Sequence, residues 1–367
     1  MNIKETQLQE IERIKKEKSS LDILADIYMY AVLGENISND DLLRFQWYGL
    51  TLQKEDNSNL LFTLKIKIVN AKLTIEQIEI LLKISKEFAD NSFRFVTRQN
   101  IEFDNIKIYD IPAIFNLLNK VNLHSIFASG HVPTNIMCCP INGYNKDQVV
   151  DVSDIVLKLN DDFEGNKNFS NLPNELKIMV DGCGCVGQNC DDNDLFFKAI
   201  KSSNGKIQFK VNISGVKQLE TIGYIAPSQV IPLAKAVAKI YRDFGYRGKK
   251  KQSKLAYLVD DWGIDEFIHI IQSELAFRIK DTYDFIDTKK DFENYNGIFE
   301  SNKKDFSFLG FELKDKNINS NGLENLYILL KKYNATEIKI TPKENIIILD
   351  VPSNNAISLE KELKKNF

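Results

Sequence analysis

Phe93-Arg94-Phe95-Val96-Thr97-Arg98-Gln99-Asn100-Ile101-Glu102-Phe103 mixes aromatic, β-branched and charged residues in a strand-like pattern, and Ser92–Phe103 reads as one strand. On a strand, side chains alternate, so Arg94, Val96 and Arg98 share one face while Phe95 and Thr97 take the other. Upstream, Leu61–Val69 alternates in the same way, which points Lys65 and Lys67 to one side. A turn at Asn70-Ala71-Lys72 follows. Thr74 then opens a helix with Ile75, Ile78, Leu81, Leu82 and Ile84 on one face, and Gln77 three residues on completes a capping box. Pro112–Val121 is a second helix. Strand, helix, strand and helix in about 60 residues fit a ferredoxin-like half.

Much later, residues 338–348 read IKITPKENIII and align without a gap to residues 93–103. An alternating strand, a turn and a helix precede each copy, over 62–90 and 306–333. Two half-domains this far apart imply one pseudo-symmetric unit with another domain inserted between its halves. The fold class expected is therefore α+β, two ferredoxin-like half-domains pairing into one unit with an intervening α/β domain. The boundaries expected are a helical extension over 1–54, the first half over 55–124, the α/β domain over 125–286, a linker over 287–304 and the second half over 305–367. Within the α/β domain, Val149–Leu159 and Leu176–Val180 read as strands, and Pro227–Phe244 and Asp265–Gln272 as helices.

Composition bounds the function. With 367 residues, 43% apolar and 27% charged, the chain has the make-up of two or three globular domains. A net charge of −3 argues against a nucleic-acid binder, and the short run Arg247-Gly248-Lys249-Lys250-Lys251 does not overturn that. No stretch is apolar enough to span a membrane, and the charged first twenty residues have no apolar core of a signal peptide. Five cysteines, an odd number, fit reduced thiols in the cytoplasm.

Two arginines and two lysines on one sheet surface make a poor core and a good anion cradle, since guanidinium grips a carboxylate in bidentate fashion and lysine adds point charge. An exposed sheet face with surface salt bridges would show the same pattern. Further along, Arg44-Phe45-Gln46-Trp47-Tyr48-Gly49-Leu50 is similar to the R-x-K-W-x-G-L segment of sirohaem sulfite and nitrite reductases, and Arg94–Gln99 resembles their R-(L/F)-T-x-R-Q strand. Asn135-Ile136-Met137-Cys138-Cys139-Pro140 resembles their R-N-V-x-x-C-P without its arginine. Leu172-Pro173-Asn174-Glu175-Leu176-Lys177 resembles L-P-R-K-(F/L)-K, and Arg242-Asp243-Phe244-Gly245 resembles R-D-(W/F)-G. The motifs keep their order from Arg44 to Pro352.

The resemblance implies sirohaem, an iron tetrapyrrole rich in carboxylates, and six-electron reduction of an anionic substrate, sulfite or nitrite. Lys67, Arg94, Arg98, Gln99, Asn135, Arg242 and Arg247 would then hold the pigment, and Lys65 and Lys177 would grip the anion. It also implies losses. A family arginine becomes Lys65, a second becomes Thr134, and a lysine becomes Glu175, so two positive charges go and one negative charge appears. The [4Fe–4S] cysteines, spaced C-x5-C and C-x3-C beyond the second half, have no counterpart among the five cysteines here, so this chain is expected to ligate no cluster and no other metal. A metal on Cys183, Cys185 and Cys190, joined by Cys138, Cys139 or His131, is the weaker alternative to reduced thiols in a loop. Three readings follow: a reductase completed by a cluster-bearing subunit and fed by ferredoxin or a flavoprotein, a non-catalytic tetrapyrrole-binding or regulatory paralogue, or a C-terminally truncated fragment.

Overall fold

The structure, a computed structural model, describes residues 3–34, 36–56, 59–183, 193–249, 252–285, 295–316 and 318–367. It divides into two compact units. One comprises Met1–Leu21, Ser129–Gly143 and Asp147–Glu293, and the other Asp22–Ala128, Tyr144–Lys146 and Asn294–Phe367. The stretch read as a single N-terminal extension is thus shared. Helix α1 (Ile3–Glu17) belongs to the first unit, α2 (Ile23–Leu33) and α3 (Asn39–Arg44) to the second.

The second unit is the pseudo-symmetric one. Strand β1 (Leu50–Asp56) starts inside the expected extension and pairs antiparallel with β2 (Asn59–Ile66). Short β3 (Lys72–Thr74) leads into α4 (Ile75–Phe88), whose start shows why the helix forms there. The Thr74 hydroxyl accepts from the Gln77 N–H at 3.3 Å and Gln77 Oε1 accepts from the Thr74 N–H at 3.0 Å, the capping box read from sequence. Thr74→Ala should cost about 1 kcal/mol in urea denaturation, and an unchanged midpoint would show the cap contributes nothing.

The run from Ser92 to Phe103 is not one strand. It is a hairpin of β4 (Arg94–Val96) and β5 (Asn100–Lys107) around a turn at Thr97–Gln99, where Arg98 and Gln99 take φ of 61° and 57°. Nothing in the sequence marks this turn, because no glycine or proline sits in it. It is held instead by Gln99, fully buried, whose Nε2 donates to the Ile340 carbonyl at 3.0 Å. Arg94 and Arg98 therefore do not share a strand face. Helix α5 (Ile111–Asn119) ends the half, and its sheet runs β1-β2-β5-β4.

In the first unit, a sheet of order β10-β9-β8-β7-β6 carries the core. Its strands are β6 (Met137–Cys138), β7 (Ile178–Asp181), β8 (Leu195–Lys201), β9 (Ile207–Ser214) and β10 (Leu219–Ile225), with β6, β7 and β8 parallel. Val149–Leu159 is largely helical rather than a strand: α6 (Ser153–Phe163) buries Val156, Leu159 and Phe163, so helical spacing overrides the local β-branched content. Helices α7 (Val230–Phe244), α8 (Leu255–Trp262) and α9 (Ile264–Ser273) also contribute to the core, through residues such as Val237, Tyr241, Leu258 and Phe267.

Strand β11 (Gly297–Glu300) lies within the stretch read as linker, and residues 287–294 of that stretch lie outside the described residues. With β12 (Phe306–Phe311), α10 (Asn319–Lys332), β13 (Glu337–Ile340), β14 (Ile346–Pro352) and α11 (Ala356–Asn366) it forms the second half. The repeat is real in register. An offset of 245 carries the pair Arg94–Glu102 onto Lys339–Ile347, and carries Gln99 (φ 57°) onto Glu344 (φ 60°). Beyond resembling each other, the halves are joined. Strand β3 of the first half pairs with β13 of the second, opposing Thr74 to Glu337, and Lys72 Nζ bonds Glu337 at 2.8 Å.

Candidate functional site

The nominated residues divide between the units. In the second unit, Glu102 on the inner strand β5 faces Lys65 on β2 and Arg94 on β4, so the three form one row across the sheet. Lys65 Nζ lies 3.0 Å from Glu102 Oε1 and Arg94 Nη2 lies 2.6 Å from Oε2. Arg94 also bonds Asp104, which accepts a further hydrogen bond from Thr63 at 2.6 Å. Burial works against the Arg94 charge, but hydrogen bonds to Asp104 and Glu102 outweigh it and hold its pKa above the usual value. Burial likewise would raise the Asp104 carboxyl, and bonds from Arg94 and Thr63 pull it below the ordinary range instead.

This is a charge-balanced sheet face, the alternative that the alternation of residues allowed. Its carboxylates stand in or beside the run quoted first. Had Phe93–Phe103 been read as a hairpin, Glu102 would have fallen opposite Arg94. Lys67 is fully buried, its N–H donating to the His124 carbonyl at 3.2 Å, and Arg98 sits half-buried in the left-handed turn beside Gln99.

In the first unit, Lys177 just precedes β7, with its N–H donating to Asp194 at 2.8 Å. Its ammonium lies 3.2 Å from Glu175, the residue that stands where the resemblance expects a lysine. Thr134 is buried, its N–H donating to the Leu176 carbonyl at 3.0 Å, and Asn135 is fully buried beside it. Arg242 pairs with Asp243 at 2.6 Å and donates to the Asn168 carbonyl; the Asp243 bond raises its pKa. It lines a cavity of about 550 Å³ with Lys235, Lys239 and Glu274.

Arg247 reaches Glu12 on α1 at 2.8 Å, and the same carboxylate pairs with Lys15. Lys15 also donates to the Leu172 carbonyl at 2.8 Å and lies 3.3 Å from His131 Nδ1. Burial pushes the Lys15 ammonium down to about 8, against the opposing pull of Glu12. Sequence reasoning missed Glu12, since nothing local ties a helix near the N-terminus to an arginine 235 residues on.

The test for sirohaem is one of donor chemistry. An acidic pigment needs cations whose charge is not already met. Lys65, Arg94, Lys177, Arg242 and Arg247 are each ion-paired to a carboxylate of this chain, while Lys67, Gln99 and Asn135 are fully buried. Those five cations already face acids of this chain, with Arg247 sharing Glu12 with Lys15, and Arg98 is half-buried in its turn, so the fit to the pigment is only partial as the side chains stand. Cys185 and Cys190 lie outside the described residues.

Residues 129–279 match the family model described as the nitrite and sulphite reductase 4Fe-4S domain, and residues 53–121 that of the nitrite/sulfite reductase ferredoxin-like half domain. The chain is 28% identical to a ferredoxin–nitrite reductase of Leptolyngbya laminosa over 321 residues, covering 83% of this chain and 62% of that protein. It is 25% identical to sulfite reductase (ferredoxin) 1 of Mycolicibacterium paratuberculosis over 385 residues, covering 96% and 67%. The NirA protein of Mycobacterium tuberculosis shares the fold, with a TM-score of 0.88 at 23% identity over 96% of this chain and 68% of that one. The chain thus spans less than two-thirds of the length of the Leptolyngbya relative. Among the described residues no helix is long and apolar enough to cross a membrane.

Proposed function

Because the chain belongs to the nitrite and sulfite reductase family of oxidoreductases, we propose that it is a non-catalytic member, one whose own carboxylates occupy the cationic positions that the motifs assign to pigment and oxyanion. One observation carries this reading: Glu102 pairs with both Lys65 and Arg94, and Asp104 completes the charge balance. The Glu175–Lys177 pair acts in the same sense. A carboxylate about 4 Å from a bound anion opposes it by roughly 1–4 kcal/mol, which is about five- to a thousand-fold in affinity.

The relatives' names favour a second reading, a sirohaem-binding chain that takes part in six-electron reduction of sulfite or nitrite. It would draw electrons from ferredoxin, the donor in those names, or from a flavoprotein, through a cluster-bearing partner. For that, the ion pairs at Lys65 and Lys177 would have to open to the incoming anions.

Gel filtration of the purified chain with added sirohaem, followed by its visible spectrum, separates the two. We expect no stoichiometric pigment on the wild-type chain, and at least about five-fold tighter binding by Glu102→Gln, which releases Lys65. One sirohaem per wild-type chain, with bands that move on adding nitrite or sulfite, would overturn the non-catalytic reading in favour of the second.

A further inference from the structure

A cluster unrelated to the cations lies at the carboxyl end of the parallel strands in the first unit. Strands β6 and β7 run side by side with Cys138 opposite Val180. The next residues, Cys139 just past β6 and Asp181 at the last position of β7, therefore stand at the same level, where ligands of open α/β sheets commonly bind. Cys183 follows two residues later. Cys139 Sγ, Cys183 Sγ and a carboxylate oxygen of Asp181 all lie within 4.8 Å of one another, and all three residues are buried.

The loop that brings them together is tightly fixed. The Cys183 N–H donates to Asp181 Oδ1 at 2.9 Å, orienting the carboxylate, and the Asn142 N–H donates to the Cys139 carbonyl at 3.0 Å. Gly182 admits no side chain, since a Cβ there would fall 2.1 Å from the Val150 carbonyl oxygen. Thiols packed as simple hydrophobes call for apolar neighbours, whereas here one wall is a carboxylate.

We infer that Cys139, Asp181 and Cys183 form a binding site for a borderline-soft divalent cation of the zinc type. Tetrahedral zinc, with bonds of about 2.3 Å to sulfur and 2.1 Å to oxygen, needs its ligand atoms roughly 3.6–3.8 Å apart, a small closure of the arrangement seen. Binding exchanges two thiol protons for one metal ion, with no change of oxidation state, and leaves a fourth position to water. The site uses none of the cations argued above and does not depend on the proposed function.

The reduced, chelator-treated full chain, titrated with Co²⁺ and then Zn²⁺, tests this. We expect one Co²⁺ per chain with a thiolate-to-cobalt charge-transfer band, its displacement by Zn²⁺, and release of two protons. Cys139→Ser and Cys183→Ser should each weaken binding by about 100-fold or more and remove most of the band. Asp181→Asn should weaken binding about ten-fold, and Cys138→Ala should leave it intact. Since a variant can misfold, protection of Cys139 and Cys183 from alkylation by Zn²⁺ in the wild-type chain is a second readout. The inference fails if the chain takes up no Co²⁺ or if uptake survives the double Cys139→Ser/Cys183→Ser change. It fails equally if the two cysteines are isolated as a disulfide that admits no metal.

Discussion

Glu12→Gln should lower the stability of the chain by about 3 kcal/mol or more, the size expected when one member of a buried ion-pair network is removed. Glu12 answers two cations at once, Lys15 through Oε1 and Arg247 through Oε2. The Lys15 side chain is only 2% exposed, so deleting the acid leaves a buried ammonium with its desolvation cost uncompensated. Urea denaturation of the full chain measures the loss, and the double change Glu12→Gln/Lys15→Met should recover much of it. Wild-type stability in the single variant would sink the idea. A pH signature accompanies it. Lys15 titrates at about 8 when folded, against 10.5 as the ordinary value, so between those limits the unfolded chain holds more protons. Stability attributable to this lysine should therefore rise as pH goes from 8 to 10.5, by up to about 3 kcal/mol. The rise should vanish in Lys15→Met.

Gly49→Ala should be at least as damaging, at about 3 kcal/mol or more. Gly49 ends the turn Phe45–Tyr48 with φ of 73°, which alone costs an alanine about 1–2 kcal/mol. The added Cβ would lie 2.3 Å from the Lys65 carbonyl oxygen, a backbone atom that cannot swing aside. The Gly49 carbonyl accepts from the Lys65 N–H at 2.8 Å, so the clash strikes where β1 and β2 begin to pair. This is the physical content of the glycine in the Trp47-Tyr48-Gly49 motif. Thermal unfolding of Gly49→Ala within a degree or two of wild type would refute the account.

The architecture was legible because it repeats. Helical and strand periods in residues 62–90 recur in 306–333, and both copies fold with one register at one offset. Misreadings came where a local signal was missing or opposed. The Thr97–Gln99 turn has no glycine, and Val149–Leu159 is β-branched yet mostly helical. The candidate site was only half legible. The cations were found by type, but their charge is set by partners that composition does not reveal: Glu102 by hairpin register, Glu12 from a remote helix. The grouping of Cys139 with Asp181 and Cys183 arises from the parallel register of β6 and β7, a tertiary fact.

The edge-to-edge seam between Thr74 and Glu337 also constrains how the molecule comes into being. A ribosome adding about 5–20 residues per second reaches Glu337 roughly 13–50 s after Thr74. Through that interval the early segment waits without its partner, as bare main-chain donors and acceptors. Truncated nascent chains ending before Glu337 should therefore engage chaperones or aggregate, where chains extended through Pro352 should not.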